Sequence, residues 1–242
     1  MNPPHCTSNF EIKAYVSTRI KKDVTVVFDR LAGQPFIVLR GPNGAGKSTF
    51  LKAFIGLDQD SKARLEKTAV DGHITPYYPQ EDRAVIRYMP QDPNEALFPR
   101  LSVADNIRLL SQILRIPENF IDSFPDIISD KKRSLGNSGL SGGEKKTLLF
   151  EAILRSLPNP DESTPVFVLL DEPFAGLDPS KTQLFLQKIN EMATEYAKSN
   201  NVTFLIVDHD HISIQGATSR ELYQGMKISH LERIVLSTNH DG

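Results

Sequence analysis

An α/β architecture with a mixed, largely parallel sheet is what this 242-residue sequence predicts, and three patterns predict it. Short apolar runs at 36–39, 166–170 and 202–207 have the composition of strands buried on both faces. Between them, 47–56, 102–116 and 141–157 read as helices, and such alternation builds a parallel sheet with crossover helices. Residues 10–28 differ: apolar and polar side chains alternate through Ile12, Ala14 and Val16, then Val24, Val26 and Phe28, which predicts an antiparallel β subdomain ahead of the core.

Taken in order, the elements predict one domain over 10–242 preceded by a flexible, Pro-rich start at 1–9. The run at 36–39 feeds a Gly-rich turn and then the helix at 47–56. A helical insertion follows at about 92–137, carrying the Pro- and charge-containing stretch 116–133, and the helical subdomain as a whole is expected at about 92–155. The stretch 157–165 is polar and Pro-rich, a surface loop.

Composition narrows the partners. Lys and Arg total 28 against 30 for Asp and Glu, a net charge of -2, so no nucleic-acid partner and no polybasic membrane surface are expected. Cys6 is the single cysteine, which excludes an internal disulfide and fits a reducing compartment, the cytoplasm. No run approaches the roughly 20 apolar residues that span a bilayer, and no secretory signal pattern opens the chain; any membrane role is expected to run through a partner.

The strongest motif is Gly41-Pro42-Asn43-Gly44-Ala45-Gly46-Lys47-Ser48-Thr49, which fits the P-loop pattern of two glycines with four residues between them, then Lys and a hydroxyl residue. Its glycines let backbone N–H groups and the next helix N-terminus converge on phosphate. Lys47 is expected to neutralise the β- and γ-phosphates and Ser48 to ligate Mg2+, so a P-loop NTPase core and Mg-ATP are predicted. The run ending at Leu170 delivers Asp171 and Glu172 at the carboxyl edge of the sheet, beside that loop. Asp171 then supports Mg2+ and Glu172 polarises the attacking water as general base.

Leu140-Ser141-Gly142-Gly143-Glu144 resembles the signature motif of ABC (ATP-binding cassette) ATPases. P-loop, signature, paired acids and a later histidine follow in that family's order across about 10–232. The resemblance implies the nucleotide-binding subunit of an ABC transporter. It would hydrolyse ATP to ADP and phosphate at the interface of a head-to-tail dimer, where Ser141, Gly142 and Gly143 of one subunit close over the ATP of the other. The second ATPase subunit is a copy of this chain or a sister. A separate transmembrane permease subunit would convert closure into transport, with this chain peripheral on the cytoplasmic face. Residue by residue, Gln91 resembles the Q-loop glutamine that reaches Mg2+ and the water, and 96–106 resembles the segment that follows it in transporter subunits. Asp178 is similar to the D-loop aspartate at the dimer seam, and His209 to the switch histidine on the γ-phosphate. His211 has no matching role.

Three departures stand out. The neighbourhood 18–24, where the family carries an adenine-stacking aromatic, holds none, and Tyr15 is the nearest candidate. This leaves room for a regulatory module that hydrolyses poorly. Glu144 stands where transporters more often carry Gln, and Lys145-Lys146 follows where an Arg is common in the signature helix. That string also resembles the soluble ATPase of iron-sulfur cluster assembly, which makes a cytosolic assembly ATPase the alternative function.

Overall fold

A computed structural model describes residues 10–17, 23–29, 35–57, 62–69, 74–76, 84–116, 139–159, 164–197, 202–209, 212–213, 218–223, 226–231 and 235–236. The chain opens with β1 (Phe10–Ser17) and β2 (Asp23–Asp29), then β3 (Phe36–Arg40), α1 (Lys47–Phe54), β4 (Lys62–Ala69), β5 (Ile74–Pro76) and β6 (Val85–Met89). A short 3-10 helix at Pro93–Glu95 leads to α2 (Val103–Leu114) and α3 (Gly142–Arg155). The second half holds β7 (Val166–Asp171), α4 (Pro179–Ala197), β8 (Val202–Val207), β9 (Ile212–Ser213), β10 (Thr218–Tyr223), β11 (Met226–Leu231) and β12 (Val235–Leu236).

The alternating pattern at 10–28 folds as expected: β1 pairs antiparallel with β2, setting Tyr15 opposite Thr25, and with β4 on its other edge. The apolar runs form the interior of a six-stranded sheet ordered β10-β11-β3-β8-β7-β6. Strands β3, β8, β7 and β6 are parallel, whereas β11 joins β3 antiparallel, so the sheet is mixed and largely parallel.

Period-two geometry divides each central strand between two cores. Phe36, Val38, Val168, Leu170, Phe204 and Ile206 face α2, α3 and α4, where Phe150 of α3 stacks on Phe185 of α4 with ring centroids 4.0 Å apart. Ile37, Leu39, Phe167, Leu169, Leu205 and Val207 face α1, and Phe54 meets Phe167 edge-on at 5.6 Å. Every residue of β7 and β8 is buried, and each large apolar side chain so placed contributes about 1.5–3 kcal/mol. That clamps the ends of β3, β7 and β8 into fixed register, and those ends carry the chemistry.

Several elements were not read from the sequence, among them β6, α4, β10 and β11. The edge strand β6 has Arg87 at its centre, whose guanidinium donates to Ser156 Oγ at 2.6 Å and to Ser156 O at 3.0 Å, tying the strand to the end of α3. Helix α4 has a mixed surface, and β10–β11 form the sheet's antiparallel margin. Of the expected helical subdomain at about 92–155, α2 and α3 are described and 117–138 lies outside the described residues, as do Cys6, His211 and 160–163. The ends of the 157–165 stretch are anchored: Tyr196 donates its hydroxyl hydrogen to Pro158 O, and Val85 N–H donates to Pro165 O at 2.8 Å.

Candidate active site

The turn after β3 is shaped by its glycines. Gly44 and Gly46 sit at φ 78° and 92°, a region that side-chain-bearing residues rarely enter, and Ala45 N–H closes the turn onto Pro42 O at 3.2 Å. Gly46 caps α1 without a side chain, so the first amides of that helix have no competing acceptor from their own cap. They open on a cavity of about 580 Å³ lined by Asn43, Gly44, Gly46, Lys47, Ser48, Thr49, Gln91, Glu172 and His209.

Lys47 donates to Gly41 O at 2.7 Å and Pro42 O at 3.0 Å. Burial pushes its pKa down, opposed by Glu172 and Asp171. Ser48 donates its hydroxyl hydrogen to Asp171 Oδ1 at 3.1 Å, joining the start of α1 to the end of β7. Asp171 is 1% exposed; burial raises its carboxyl pKa, with the Ser48 hydrogen bond the largest opposing influence. Tyr88 approaches its other oxygen at 3.5 Å, and burial raises that phenol strongly. A hydroxyl and a carboxylate oxygen side by side are hard donors of the kind Mg2+ takes beside phosphate oxygens and water. Among the described residues no cluster of three His, Cys, Asp or Glu that could hold a metal ion is present.

Glu172 follows β7 with φ 47°, uncommon for a residue with a side chain. Its N–H donates to Val207 O at 3.0 Å. Its carboxylate is held on both oxygens: Gln91 Nε2 donates to Oε2 at 2.7 Å, and His209 Nε2 lies 2.6 Å from Oε1. Three segments far apart in sequence thus meet on one carboxylate at the cavity rim.

The second Gly-rich motif lies elsewhere. Ser141 caps α3 with a full capping box, its Oγ accepting from Glu144 N–H at 3.3 Å and its own N–H donating to Glu144 Oε2 at 2.6 Å. Ser141, Gly142 and Gly143 are not among the residues lining the cavity, nor is Asp178. Asp178 Oδ1 accepts from Ser180 Oγ at 2.6 Å and Lys181 N–H at 2.9 Å, beside the first turn of α4. The backbone of Tyr15 is in β1, but its side chain lies outside the described set, so the adenine-stacking expectation is not addressed. Two residues close to this chemistry were missed in the sequence. Tyr88 sits in an unremarked edge strand, and Lys146 registered only as a departure from the signature helix.

The family model described as ABC transporter matches residues 30–175. The chain is 30% identical over 207 residues to the lipopolysaccharide export system ATP-binding protein of Haemophilus influenzae, covering 82% of this chain and 77% of that protein. The Escherichia coli K12 protein of the same name is 31% identical over 205 residues, with the same coverage of 82% and 77%. An uncharacterized ABC transporter ATP-binding protein of Rhizobium meliloti is 30% identical over 239 residues, 95% of this chain and 81% of that one. In three dimensions the chain is similar to an ATP-binding subunit of an ABC transporter, with TM-score 0.54, 22% identity, and coverage of 84% and 80%. It also resembles an ATP-binding cassette solved as a dimer in a post-hydrolysis state with ADP and phosphate, at TM-score 0.52, 18% identity, and coverage of 94% and 98%. At such identities these two likenesses concern the fold alone.

Proposed function

Because this chain belongs to the ABC transporter family, as an ATP-binding subunit with that family's ATPase activity, we propose that it closes head-to-tail on a second ATPase subunit over Mg-ATP. A transmembrane permease subunit is the machine it drives, from the cytoplasmic face of the membrane. Among the described residues no helix is long and apolar enough to cross a bilayer, so in this reading translocation belongs to the permease.

One observation carries the reading: Glu172, Gln91 and His209 meet at the rim of the cavity that the P-loop opens on, while Ser141, Gly142 and Gly143 do not line it. The cavity holds a phosphate cradle and a base on one side, and a second copy supplies the missing lid. Lys47 exchanges its carbonyl partners for phosphate oxygens, and the amides at the start of α1 take up further charge. Ser48 and Asp171 would hold Mg2+, which when bound neutralises charge on the β- and γ-phosphates. Glu172 accepts a proton from water as its oxygen bonds to the γ-phosphorus and the bond to ADP breaks. Gln91 and His209 aim that carboxylate. ATP favours the closed pair because only that state adds the partner's signature contacts, and hydrolysis removes the preference.

The assembly-ATPase alternative loses its footing at Glu144. In the capping box a Glu or a Gln serves equally, so this position does not separate the two classes. The relatives matched are named as transporter ATP-binding proteins. Glu172→Gln is expected to cut turnover by about a hundredfold or more and to accumulate a dimer with Mg-ATP on size analysis. Only monomer under those conditions would overturn the paired-subunit reading.

A further inference from the structure

Lys146 lies within the second turn of α3, on the helix that begins with the signature, and is 6% exposed. A buried ammonium is costly unless its donors are taken up. This one donates to two main-chain carbonyls of another element, Glu172 O at 2.7 Å and Ala175 O at 2.9 Å. Burial pushes its pKa down, while the nearby Glu172, Asp171 and Asp92 push it up.

The carbonyls it binds belong to the turn that aims the catalytic carboxylate. At φ 47° Glu172 persists only if its surroundings hold it there. Its N–H is fixed by β8 through Val207 O, its carboxylate by Gln91 and His209, and its carbonyl by Ala175 N–H at 3.3 Å and by Lys146. Of these anchors, Lys146 is the one that comes from the signature helix. The same two elements meet again one turn earlier, where a Cβ on Gly143 would lie 3.5 Å from the Leu177 side chain and 3.7 Å from Gly176 O. Helix α3 and the 172–177 turn therefore share both a charged clamp and an ordinary packing contact at Gly143.

We propose that Lys146 is a positioning residue that ties the signature helix to the catalytic turn of its own subunit. A nucleotide held by the partner and seated on Ser141, Gly142 and Gly143 then sets the aim of Glu172 at this subunit's own site. The inference rests on the paired-subunit reading above and assigns the element through which the two sites sense each other.

The test uses the full chain with Lys146→Met, Lys146→Arg and Glu172→Gln, measuring ATP affinity, kcat, the Hill coefficient for ATP and Tm. Lys146→Met is expected to lower kcat about tenfold, the loss of a charge-assisted hydrogen bond, while ATP affinity stays within about twofold. The Hill coefficient falls toward one, and Lys146→Arg, which restores a buried cation, recovers most of kcat. Unchanged kcat in Lys146→Met would overturn the inference. So would a loss that tracks a fall in Tm and is no better in Lys146→Arg, since that is a packing role. If Lys146→Met does not fold, Lys146→Gln is judged by the same criteria. Glu172→Gln that stays monomeric with Mg-ATP on size analysis would instead remove the paired-subunit reading itself, leaving the two failures distinct.

Discussion

Two helix starts in this molecule, both carrying glycine and serine, end in opposite states. At α1 a glycine with φ 92° caps the helix, no side chain competes for its amides, and the turn opens on the molecule's own cavity. At α3 Ser141 and Glu144 close the helix end onto itself, and the glycines that follow stand off the cavity. A helix N-terminus is an anion site only where its amides are unclaimed. The first is open to phosphate within the single chain; in the proposed pairing the second, already capped, would meet another subunit's nucleotide through its Ser141 hydroxyl and glycines.

The sharpest way to break that contrast is at the open end. Lys47→Ala is expected to weaken ATP binding by about a hundredfold, because a charge-assisted contact to phosphate is lost at the site that works unaided. Unchanged affinity in a direct binding titration would contradict the assignment of the cradle. At the closed end the effect should fall on turnover instead. Ser141→Ala is expected to leave ATP affinity of the isolated chain unaltered, to cost about 1 kcal/mol of stability through the lost cap, and to slow hydrolysis about tenfold. Glu144→Gln, which keeps the capping box, should stay within about 0.5 kcal/mol of the parent in chemical unfolding. A larger loss would mean the carboxylate does more than cap.

Asp178 extends the comparison to a third helix start at smaller amplitude. Ser180 first, then the Lys181 amide, hold its carboxyl well below the usual carboxylate range. A depressed folded-state pKa contributes stability that is present above the unfolded value of about 3.8 and is lost as pH falls toward the folded value. Asp178→Asn should therefore lower Tm slightly near neutrality, with the two proteins converging as pH falls below about 4. A parallel acid limb in both proteins would place its worth elsewhere, at the subunit seam that the family resemblance suggests.

Much of the site was legible because its parts are local. Gly44 and Gly46 announce a turn that only they can make, Lys47 and Ser48 follow at fixed offsets, and Asp171 and Glu172 end a run of five apolar residues. Gln91 and His209 were found through family resemblance. Neither carries a local signal of its own, since a glutamine in a loop and a histidine after a strand are ordinary. Tyr88 was hidden because β6 is an edge strand interrupted by Arg87, and Asp178 showed its capping contacts only once the start of α4 was in place.

By itself the sequence determined strands β1, β2, β3, β7 and β8, helices α1, α2 and α3, and the Gly-rich turn between β3 and α1, because each depends on steric or periodic rules acting over a few residues. The tertiary structure alone decided which face of each central strand meets α1 and which meets α3 and α4. It also decided the positive φ of Glu172, the grip of Gln91 and His209 on its carboxylate, and the burial of Lys146 against its carbonyl. Those features join residues between 26 and 81 positions apart, and such contacts are chosen by how packed elements bring their ends together.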